Sequence, residues 1–328
     1  MRIKPYILCV YCFYFSLYMN VGIALDNTLN ERWNKEIFFI KKRVETEGGL
    51  VHFRTAFGLA NTQFDNVKEL ILQDQIDVLI LVPVDAENAK SIVDLCLTHN
   101  VKVIAYSRPI IHPGIDFQVR FDVPLIGKHQ AEFAVSKQPT GNYVIIQGPT
   151  QDLNTGLLLA GQKEVLEPKI KNGDIKLLDE YFLSGWTKLK ATKTVEECLE
   201  KHGENNIDAF LVANDMIAET VAEHLDTTKG IVVTGLDAEV KACKRLVDGE
   251  QTMTVLLVPQ DIANCIANTA LYLGTGEKEY IEAYEVGEDE VESGVKIKTI
   301  QLASEVLNQE NVKSKVLEHK LFPLGWLD

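Results

Sequence analysis

Short apolar runs alternate with longer amphipathic segments along most of this chain, and that alternation limits the possible folds more than any other feature. Four runs come first: VGIAL (21–25), LVHFRTAF (50–57), DVLILVP (77–83) and VKVIAY (101–106). Between them, apolar residues recur at steps of three and four, the period of an amphipathic helix. Continuous apolar runs indicate strands buried on both faces, as in a parallel sheet covered by crossover helices.

The same pattern then starts again. NYVIIQG (142–148), DIKLLDEYF (174–182), DAFLVA (208–213) and GIVVTG (230–235) read as strands, with helical segments between them. A chain of 328 residues also exceeds what one hydrophobic core usually supports. The sequence therefore predicts an α/β fold of two lobes, each with its own parallel sheet.

Three segments are candidates for crossings between the lobes. The extended run at 117–127 closes at Pro124, a long helix enters at Pro259, and a late strand follows an acidic, turn-rich stretch. Proline suits the first turn of a helix because its missing N–H has no partner there. We expect an N-terminal lobe of residues 21–122 and 259–283, and a C-terminal lobe of residues 123–258 and 284–328.

The first 20 residues differ from the rest of the chain. MRIK carries two positive charges and precedes the uncharged run PYILCVYCFYFSLYM. This composition is typical of an export signal or a membrane anchor. Small residues at signal-cleavage spacing are missing before Val21, and neither Cys9 nor Cys12 has a lipoprotein-type context. We favour an uncleaved anchor. An atypical signal peptide or a misassigned start codon remain alternatives, and under each the remaining chain works outside the cytoplasm.

Composition excludes several classes of function. A net charge of −14 argues against binding to nucleic acid, which needs a clustered basic face. The six cysteines show no zinc-site spacing, so no metal or cofactor is predicted. Four of them lie in apolar-periodic segments, where we expect buried thiols rather than disulfides: Cys96, Cys198, Cys243 and Cys265.

Polar and aromatic residues follow nearly every predicted strand. Ligands of open α/β sheets bind beyond the carboxyl ends of the strands. Planar Arg, Asp and Asn groups suit pairs of adjacent hydroxyls, and Trp faces suit the C–H face of a sugar ring. A nucleophile–base pair, a phosphate-binding glycine loop and a metal cluster are all missing, so the pattern indicates binding of a sugar rather than catalysis. The strand-end residues are Asn27, Arg32, Trp33, Pro83, Asp85, Ser107, Arg108, Gln147, Asp152, Asn154, Trp186, Asn214, Asp215 and Asp237.

Several motifs resemble the type I periplasmic sugar-binding proteins, in particular their D-xylose-binding members. They run in the family's order and spacing from Val21 to about Lys320, and include LNERWNKEIFFIKK, VKVIAYSRPI, GNYVIIQG, DLN, SGW, LVANDMIAE, TGLDAE and QTMTV. The resemblance implies two Rossmann-like lobes, joined by a three-strand hinge, that close over one sugar. It implies the ligand-binding residues Arg32, Trp33, Ser107, Arg108, Asp152, Asn154, Trp186, Asn214 and Asp237.

Two positions depart from the family pattern. Ser107 stands where the family usually has an acidic residue, and Leu257 stands where it has a lysine. Losing an acid and a base together leaves the formal charge balanced. The departures bear on affinity and on the choice of sugar.

Some site residues also have structural interpretations. Arg32 can pair with Glu36 on a helix face, and Trp33 is open between core and pocket. Asp152 and Asp215 can cap helices; we favour capping for Asp215, with its neighbour Asn214 touching the sugar. Trp186 lies on a loop and is interpreted as a pocket residue. We interpret Arg108 and Asp237 as ligand residues because the sequence shows no structural partner for either.

These observations predict an extracytoplasmic D-xylose receptor whose closed form is recognised by a membrane partner, either the ectodomain of a sensor histidine kinase or an ABC permease. We favour a tethered sensor, because no cysteine has a lipoprotein-type context and the apolar N-terminal segment lies close to the strand VGIAL. The alternative is an ABC-importer component for another monosaccharide. A sugar-responsive repressor would need a helix-turn-helix ahead of the first strand, where residues 1–20 hold only the apolar segment. A pentose-acting enzyme would need an acid and a base, for which Asp152 and Asp237 are the candidates.

Overall fold

The structure, a computed structural model, describes residues 19–226, 229–290, 294 and 296–327. The predicted export segment lies outside these residues except for Met19 and Asn20, and Asn20 already begins the first strand. Among the described residues, no helix combines the length and the apolarity of a bilayer-spanning segment.

Strands and helices alternate through most of the described chain. The strands are β1 (Asn20–Leu25), β2 (Leu50–Thr55), β3 (Val78–Leu81), β4 (Lys102–Tyr106), β5 (Phe117–Phe121), β6 (Gly141–Gln147), β7 (Ile175–Phe182), β8 (Ala209–Val212), β9 (Val232–Val233), β10 (Met253–Leu256), β11 (Val286–Glu290), β12 (Lys296–Leu302) and β13 (Glu305–Asn308). The α-helices are α1 (Glu31–Thr46), α2 (Ala60–Leu72), α3 (Ala86–Thr98), α4 (Val123–Lys137), α5 (Leu153–Lys171), α6 (Lys188–His202), α7 (Asp215–His224), α8 (Val240–Asp248), α9 (Pro259–Thr275) and α10 (Val312–Glu318).

The first lobe is built on a seven-stranded sheet of order β11-β12-β5-β4-β3-β1-β2. Neighbouring strands run parallel except for the edge pair β11 and β12. Strand β3 shows why a continuous apolar run predicts this arrangement. Val78 and Ile80 pack into the core on one face and Leu79 and Leu81 on the other, all with 0% exposure.

The second lobe holds a parallel sheet of order β7-β6-β8-β9 and an antiparallel pair of β10 with β13. Its central strand β6 is also buried on both faces, with Tyr143 and Ile145 in one core cluster and Val144 and Ile146 in another. The predicted strand at 230–235 shrinks to Val232–Val233. The two-lobed α/β fold predicted from the sequence is confirmed.

Within the described part of the chain, three segments join the lobes, at β5 to α4, β10 to α9 and β12 to β13. The prediction that residues 284–302 belong with the C-terminal lobe is wrong. Strand β12 pairs parallel with β5, from Thr299 opposite Gln118 to Leu302 opposite Phe121, and β11 pairs with β12. The third crossing therefore lies at residues 303–304, and only the chain from β13 onward belongs to the second lobe.

The burial of four cysteines predicted from the sequence is confirmed, since Cys96, Cys198, Cys243 and Cys265 are buried free thiols. Each lies within a helix and contributes to a core cluster. Cys9 and Cys12 lie outside the described residues.

Helices α4 and α5 cross in unusually close contact beside the first hinge segment. A Cβ added to Gly161 would lie 1.9 Å from the carbonyl oxygen of Pro124, and one added to Gly127 would lie 2.2 Å from that of Leu158. Real Cβ atoms do not approach backbone oxygens this closely, so a larger residue would push the helices apart. Glycine is required here for packing, although it is a poor helix former.

We expect Gly161→Ala to lower the free energy of unfolding by about 1–3 kcal/mol, because overpacking at a backbone contact forces the helices to shift. The melting temperature measured by calorimetry checks this. Gly156→Ala is the matched control on the same helix, since a Cβ there meets nothing within 4 Å. The control should be neutral or slightly stabilising, and equal melting temperatures of the two variants would contradict the packing account.

Candidate functional site

A cleft of about 410 Å³ lies between the lobes, beyond the carboxyl ends of the parallel strands of both sheets. Small-molecule sites commonly enclose about 300–1,000 Å³. The structure brings to this cleft every residue that the sequence assigned to ligand binding: Arg32, Trp33, Ser107, Arg108, Asp152, Asn154, Trp186, Asn214 and Asp237.

The first turn of helix α1 enters the cleft directly behind strand β1. Asn30 caps the helix, and its Oδ1 accepts the backbone N–H of Arg32 at 2.8 Å. The guanidinium carbon of Arg32 lies 4.3 Å from the centre of the Trp33 ring. Trp33 also packs edge-on against Tyr106, with ring centroids 5.7 Å apart. Trp33 therefore belongs to both the cleft and the adjoining core.

Arg32 is 6% exposed and lies between carboxylates of both lobes. Its Nε is 3.3 Å from Glu36 Oε1 and 3.8 Å from Asp237 Oδ1, and its Nη2 donates to Ser107 Oγ at 3.4 Å. The Tyr106 hydroxyl donates to Glu36 Oε2 at 2.6 Å. Burial raises the pKa of Glu36 to about 7, and the nearby Arg32 and Tyr106 limit the rise. The helical pair with Glu36 exists in addition to the contacts across the cleft.

Arg108 joins the lobes through two buried carboxylates. Its Nη1 donates to Asp26 Oδ2 at 2.7 Å and to the Pro83 carbonyl oxygen at 2.6 Å, within the first lobe. Its Nε lies 2.8 Å from Asp152 Oδ2 in the second lobe. Burial opposes the charge on Arg108, but Asp152 and Asp26 outweigh it and raise its pKa. The interpretation that Arg108 has no structural partner is therefore wrong.

Asp152 acts as a helix cap and as a cleft residue at once. Its Oδ1 accepts the backbone N–H of Asn154 at 3.0 Å, at the start of α5. Its Oδ2 accepts Nε1–H of Trp186 at 3.1 Å. Gly148 makes room for the indole, since a Cβ there would lie 2.2 Å from the Trp186 ring. A hydrogen bond and a glycine thus hold Trp186 at the cleft.

Asn154 and Ser107 meet across the cleft. Nδ2 of Asn154 donates to the Ser107 carbonyl oxygen at 2.9 Å, at a turn where Ser107 has a left-handed φ of 63°. Oδ1 of Asn154 is buried and has no hydrogen-bond partner among the described residues. A buried acceptor without a donor is costly. Because Asn154 lines the cleft, an acceptor without a donor lies at the cleft wall.

Asn214 caps helix α7, and the cap predicted at Asp215 is wrong. Oδ1 of Asn214 accepts the backbone N–H of Ile217 at 3.2 Å. Asp215 is fully buried, and its Oδ1 accepts hydrogen bonds from Gln251 at 2.9 Å and Thr254 at 2.8 Å. Burial raises the pKa of Asp215 to about 7, and these two donors limit the rise. Asp215 supports the cleft from behind, while Asn214 lines it.

Asp237 has an uncommon backbone φ of 103° and closes the second lobe onto the first. Its Oδ2 accepts Nδ2–H of Asn30 at 2.6 Å, so the interpretation that it has no structural partner is also wrong. Burial raises the pKa of Asp237, and Arg32 opposes the rise. The sequence reasoning missed Asn30, whose signal is an asparagine directly before an amphipathic helix.

The sequence analysis also did not identify a group of charged residues at the cleft mouth. Glu219 pairs with Lys188 at 3.2 Å and with Lys241 at 3.0 Å, and all three line the cleft. They lie on helices α6, α7 and α8 rather than at strand ends, so the strand-end pattern in the sequence does not indicate them. Among the described residues, no cluster of side chains is suited to hold a metal ion.

Glu239 gives the cleft a pH dependence. Burial raises its pKa from 4.5 to about 8, and the carboxylates of Asp215, Asp237, Glu31 and Glu219 add to the rise. Between these two pKa values, Glu239 keeps its proton in the folded protein but has lost it in the unfolded chain. Stability must fall as the pH rises through this window.

We expect Glu239→Gln to melt at a higher temperature than the wild type at pH 9 and at a similar temperature at pH 5, because only the wild type carries a carboxyl at position 239 that must ionise in the folded cleft as the pH rises. Thermal melts across pH 5–9 measure the difference. Glu250→Gln, at an exposed turn of the same lobe, is the control. A difference for Glu239→Gln that does not grow with pH would contradict the assignment.

A scan against family models matches residues 21–278 to the "Periplasmic binding protein domain". Among curated proteins, the D-xylose-binding periplasmic protein of Escherichia coli K12 is 30% identical over 304 residues, which covers 92% of this chain and 90% of that protein. The protein of the same description from Haemophilus influenzae is 32% identical over 263 residues, covering 79% of each chain.

Solved structures share the fold. An ABC-transporter solute-binding protein of Clostridium phytofermentans with bound β-D-glucose superposes with a TM-score of 0.84 at 20% identity, covering 94% of this chain and 100% of that chain. A carbohydrate-transporter solute-binding protein of Chloroflexus aurantiacus in complex with D-glucose gives 0.83 at 23% identity, covering 93% and 97%. These likenesses bear on the fold alone.

Proposed function

The chain belongs to the periplasmic binding protein family, and from this premise we propose that it is an extracytoplasmic sugar receptor that closes its lobes over one molecule of a pentose, D-xylose. The proposal includes the ligand-binding role of the nine cleft residues. Two relatives that cover most of the chain carry the name D-xylose-binding protein, which supports the choice of sugar.

One observation carries the proposal: polar groups of both lobes converge on the same enclosed cleft. Arg108 of the first lobe reaches Asp152 of the second, and Asn30 of the first reaches Asp237 of the second. A ligand held by such groups contacts both lobes only when they are closed. Binding therefore shifts the population towards the closed form, which is the signal a partner can recognise.

A thermal-shift screen tests the proposal. A ligand that binds only the folded protein raises its melting temperature in proportion to the logarithm of its concentration over its Kd. We expect D-xylose to give the largest shift in a panel with L-arabinose, D-ribose and D-glucose. A panel in which no sugar raises the melting temperature would refute the sugar-receptor proposal, and one in which only D-glucose raises it would refute the choice of a pentose.

The cleft supports binding rather than catalysis. The two carboxylates that could serve a pentose-acting enzyme are already engaged, Asp152 by Arg108 and Trp186, and Asp237 by Asn30. A general acid or base must reach the proton that it transfers within hydrogen-bond distance, so the test is whether the sugar is converted. Incubation of the purified protein with D-xylose should leave the sugar unchanged by chromatography, and any product would favour an enzyme.

We propose that the partner of the closed form is the membrane permease of an ABC importer, which agrees with relatives described as periplasmic. A sensor histidine kinase ectodomain is the other outcome of the test. Gel filtration of the sugar-loaded protein with each partner separates the two, since only the true partner should co-elute and only when sugar is present. Whether an N-terminal anchor tethers the receptor is a separate proposal on residues outside the described part of the chain.

A further inference from the structure

The inner end of the cleft, where the hinge segments pass between the lobes, is lined by apolar side chains. Phe121 and Val123 flank the first crossing between the lobes, and Leu257 lies in the second. Six residues line the cavity there and are at most 8% exposed: Phe121, Val123, Ile126, Leu158, Ala213 and Leu257. We call these six residues the hinge wall.

Exposed charge lies at the opposite end of the same cleft. The side chains of Glu31, Lys188 and Lys241 are 46%, 46% and 68% exposed, which places them at the mouth. Thr155 lies one turn before Leu158 on α5, and its hydroxyl already donates to a backbone carbonyl at 2.9 Å. The cleft therefore has exposed charge at its mouth, largely buried polar and charged groups such as Arg32 and Arg108 along its middle, and apolar side chains at its inner end.

This gradient determines which edge of a ligand can face inward. A hydroxyl pressed against the hinge wall gives up its hydrogen bonds to water and finds no partner among the six apolar side chains of the wall, which is unfavourable. A C–H edge has no such bonds to lose, and its burial is favourable. The unpartnered Oδ1 of Asn154 offers a hydroxyl of the same ligand a place in the polar part of the cleft.

We propose that the hinge wall selects a sugar whose inward edge is hydrocarbon, either the ring methylene of a pentopyranose or the methyl group of a 6-deoxyhexose, over a sugar that carries a hydroxymethyl group there. Leu257 is the residue that tests this selection, because it is 2% exposed and belongs to a hinge segment rather than to a strand or helix. This inference rests on the proposed sugar-binding function and adds the chemistry of the preferred ligand.

Three sugars that match at C2, C3 and C4 form the test series: D-xylose, 6-deoxy-D-glucose and D-glucose. They differ only in the group at C5. We expect calorimetry to give D-xylose or 6-deoxy-D-glucose a Kd about 10- to 100-fold below that of D-glucose, the range by which an apolar pocket discriminates such groups. A tighter D-xylose indicates that the wall contacts the methylene, and a tighter 6-deoxy-D-glucose indicates that it encloses a methyl group.

Variants at Leu257 test whether the hinge wall causes the preference for a hydrocarbon edge over a hydroxymethyl group. Leu257→Asn introduces a polar partner of similar size and should reduce the ratio of Kd values towards one, whereas Leu257→Met keeps the wall apolar and should preserve the ratio. The ratio compares sugars within one variant, so a loss of stability common to all three sugars cancels. Melting temperatures without sugar report folding separately.

The failure of this inference differs from the failure of the proposed function. D-glucose bound as tightly as 6-deoxy-D-glucose, or a preference unchanged in Leu257→Asn, would overturn the hinge-wall selection while leaving a sugar receptor. If the screen shows another ring configuration, the series becomes the pentose, 6-deoxyhexose and hexose of that configuration. No binding by any sugar would instead remove the proposed function itself.

Discussion

Arg108→Ala is expected to remove much of the stabilisation that D-xylose gives this protein. The arginine lies between Asp26 and Asp152, at 2.7 and 2.8 Å, and its side chain is only 12% exposed. Truncation of a buried, hydrogen-bonded charge costs roughly 2–5 kcal/mol, which corresponds to a Kd at least about 30-fold higher. Calorimetric titration of the variant with D-xylose measures this loss.

Two further variants separate a binding role from a folding role. Arg108→Lys keeps the charge but not the fork that holds two oxygens, so we expect weakened rather than normal binding. Arg54→Ala removes an arginine of the same lobe that pairs with Asp74 away from the cleft, and it should bind sugar like the wild type. Normal sugar affinity in a folded Arg108→Ala protein would contradict the proposed role.

Asp237→Gly is expected to raise the Kd for D-xylose by about 30-fold or more while the protein stays folded. The substitution removes the carboxylate that accepts from Asn30 and faces Arg32. Glycine adopts the φ of 103° found here more readily than any other residue, so the backbone gains no strain. A binding defect without a lower melting temperature is therefore the expected signature.

Asp237→Asn and Asp248→Ala complete this test. The amide of Asp237→Asn keeps an oxygen for Asn30 but not the charge opposite Arg32, so we expect an intermediate affinity. Asp248 ends helix α8 in the same lobe, and its side chain is 44% exposed, so its loss should leave binding unchanged. An Asp237→Gly protein that binds as tightly as Asp248→Ala would show that the carboxylate does not hold the ligand.

Much of the fold follows from local patterns in the sequence. Strand β3 is apolar at every position because both of its faces are buried, and that pattern is readable without any tertiary information. Strand β11, VGEDE, is an edge strand with three acidic residues, and nothing local distinguishes it from a turn. Its pairing depends on β12 meeting β5, a contact between residues about 180 positions apart.

In the cleft too, some features follow from local sequence and others depend on tertiary contacts. Its nine predicted residues converge because the carboxyl ends of parallel strands share an edge of the sheet. The hydrogen-bond and ion-pair partners of these residues could not be predicted from the sequence. Arg108 meets Asp152, and Asp237 meets Asn30, only because two lobes face each other. That Asn214 rather than Asp215 caps helix α7 also depends on tertiary packing, since Gln251 and Thr254 hold the Asp215 carboxylate in the interior.

A crystal structure of the protein grown with saturating D-xylose tests the central claim most directly. We predict one sugar molecule between the lobes, with hydrogen bonds to Arg108 from the first lobe and to Asp237 from the second. A cleft that holds no sugar at saturating concentration, with both side chains bonded only to protein groups, would contradict the account.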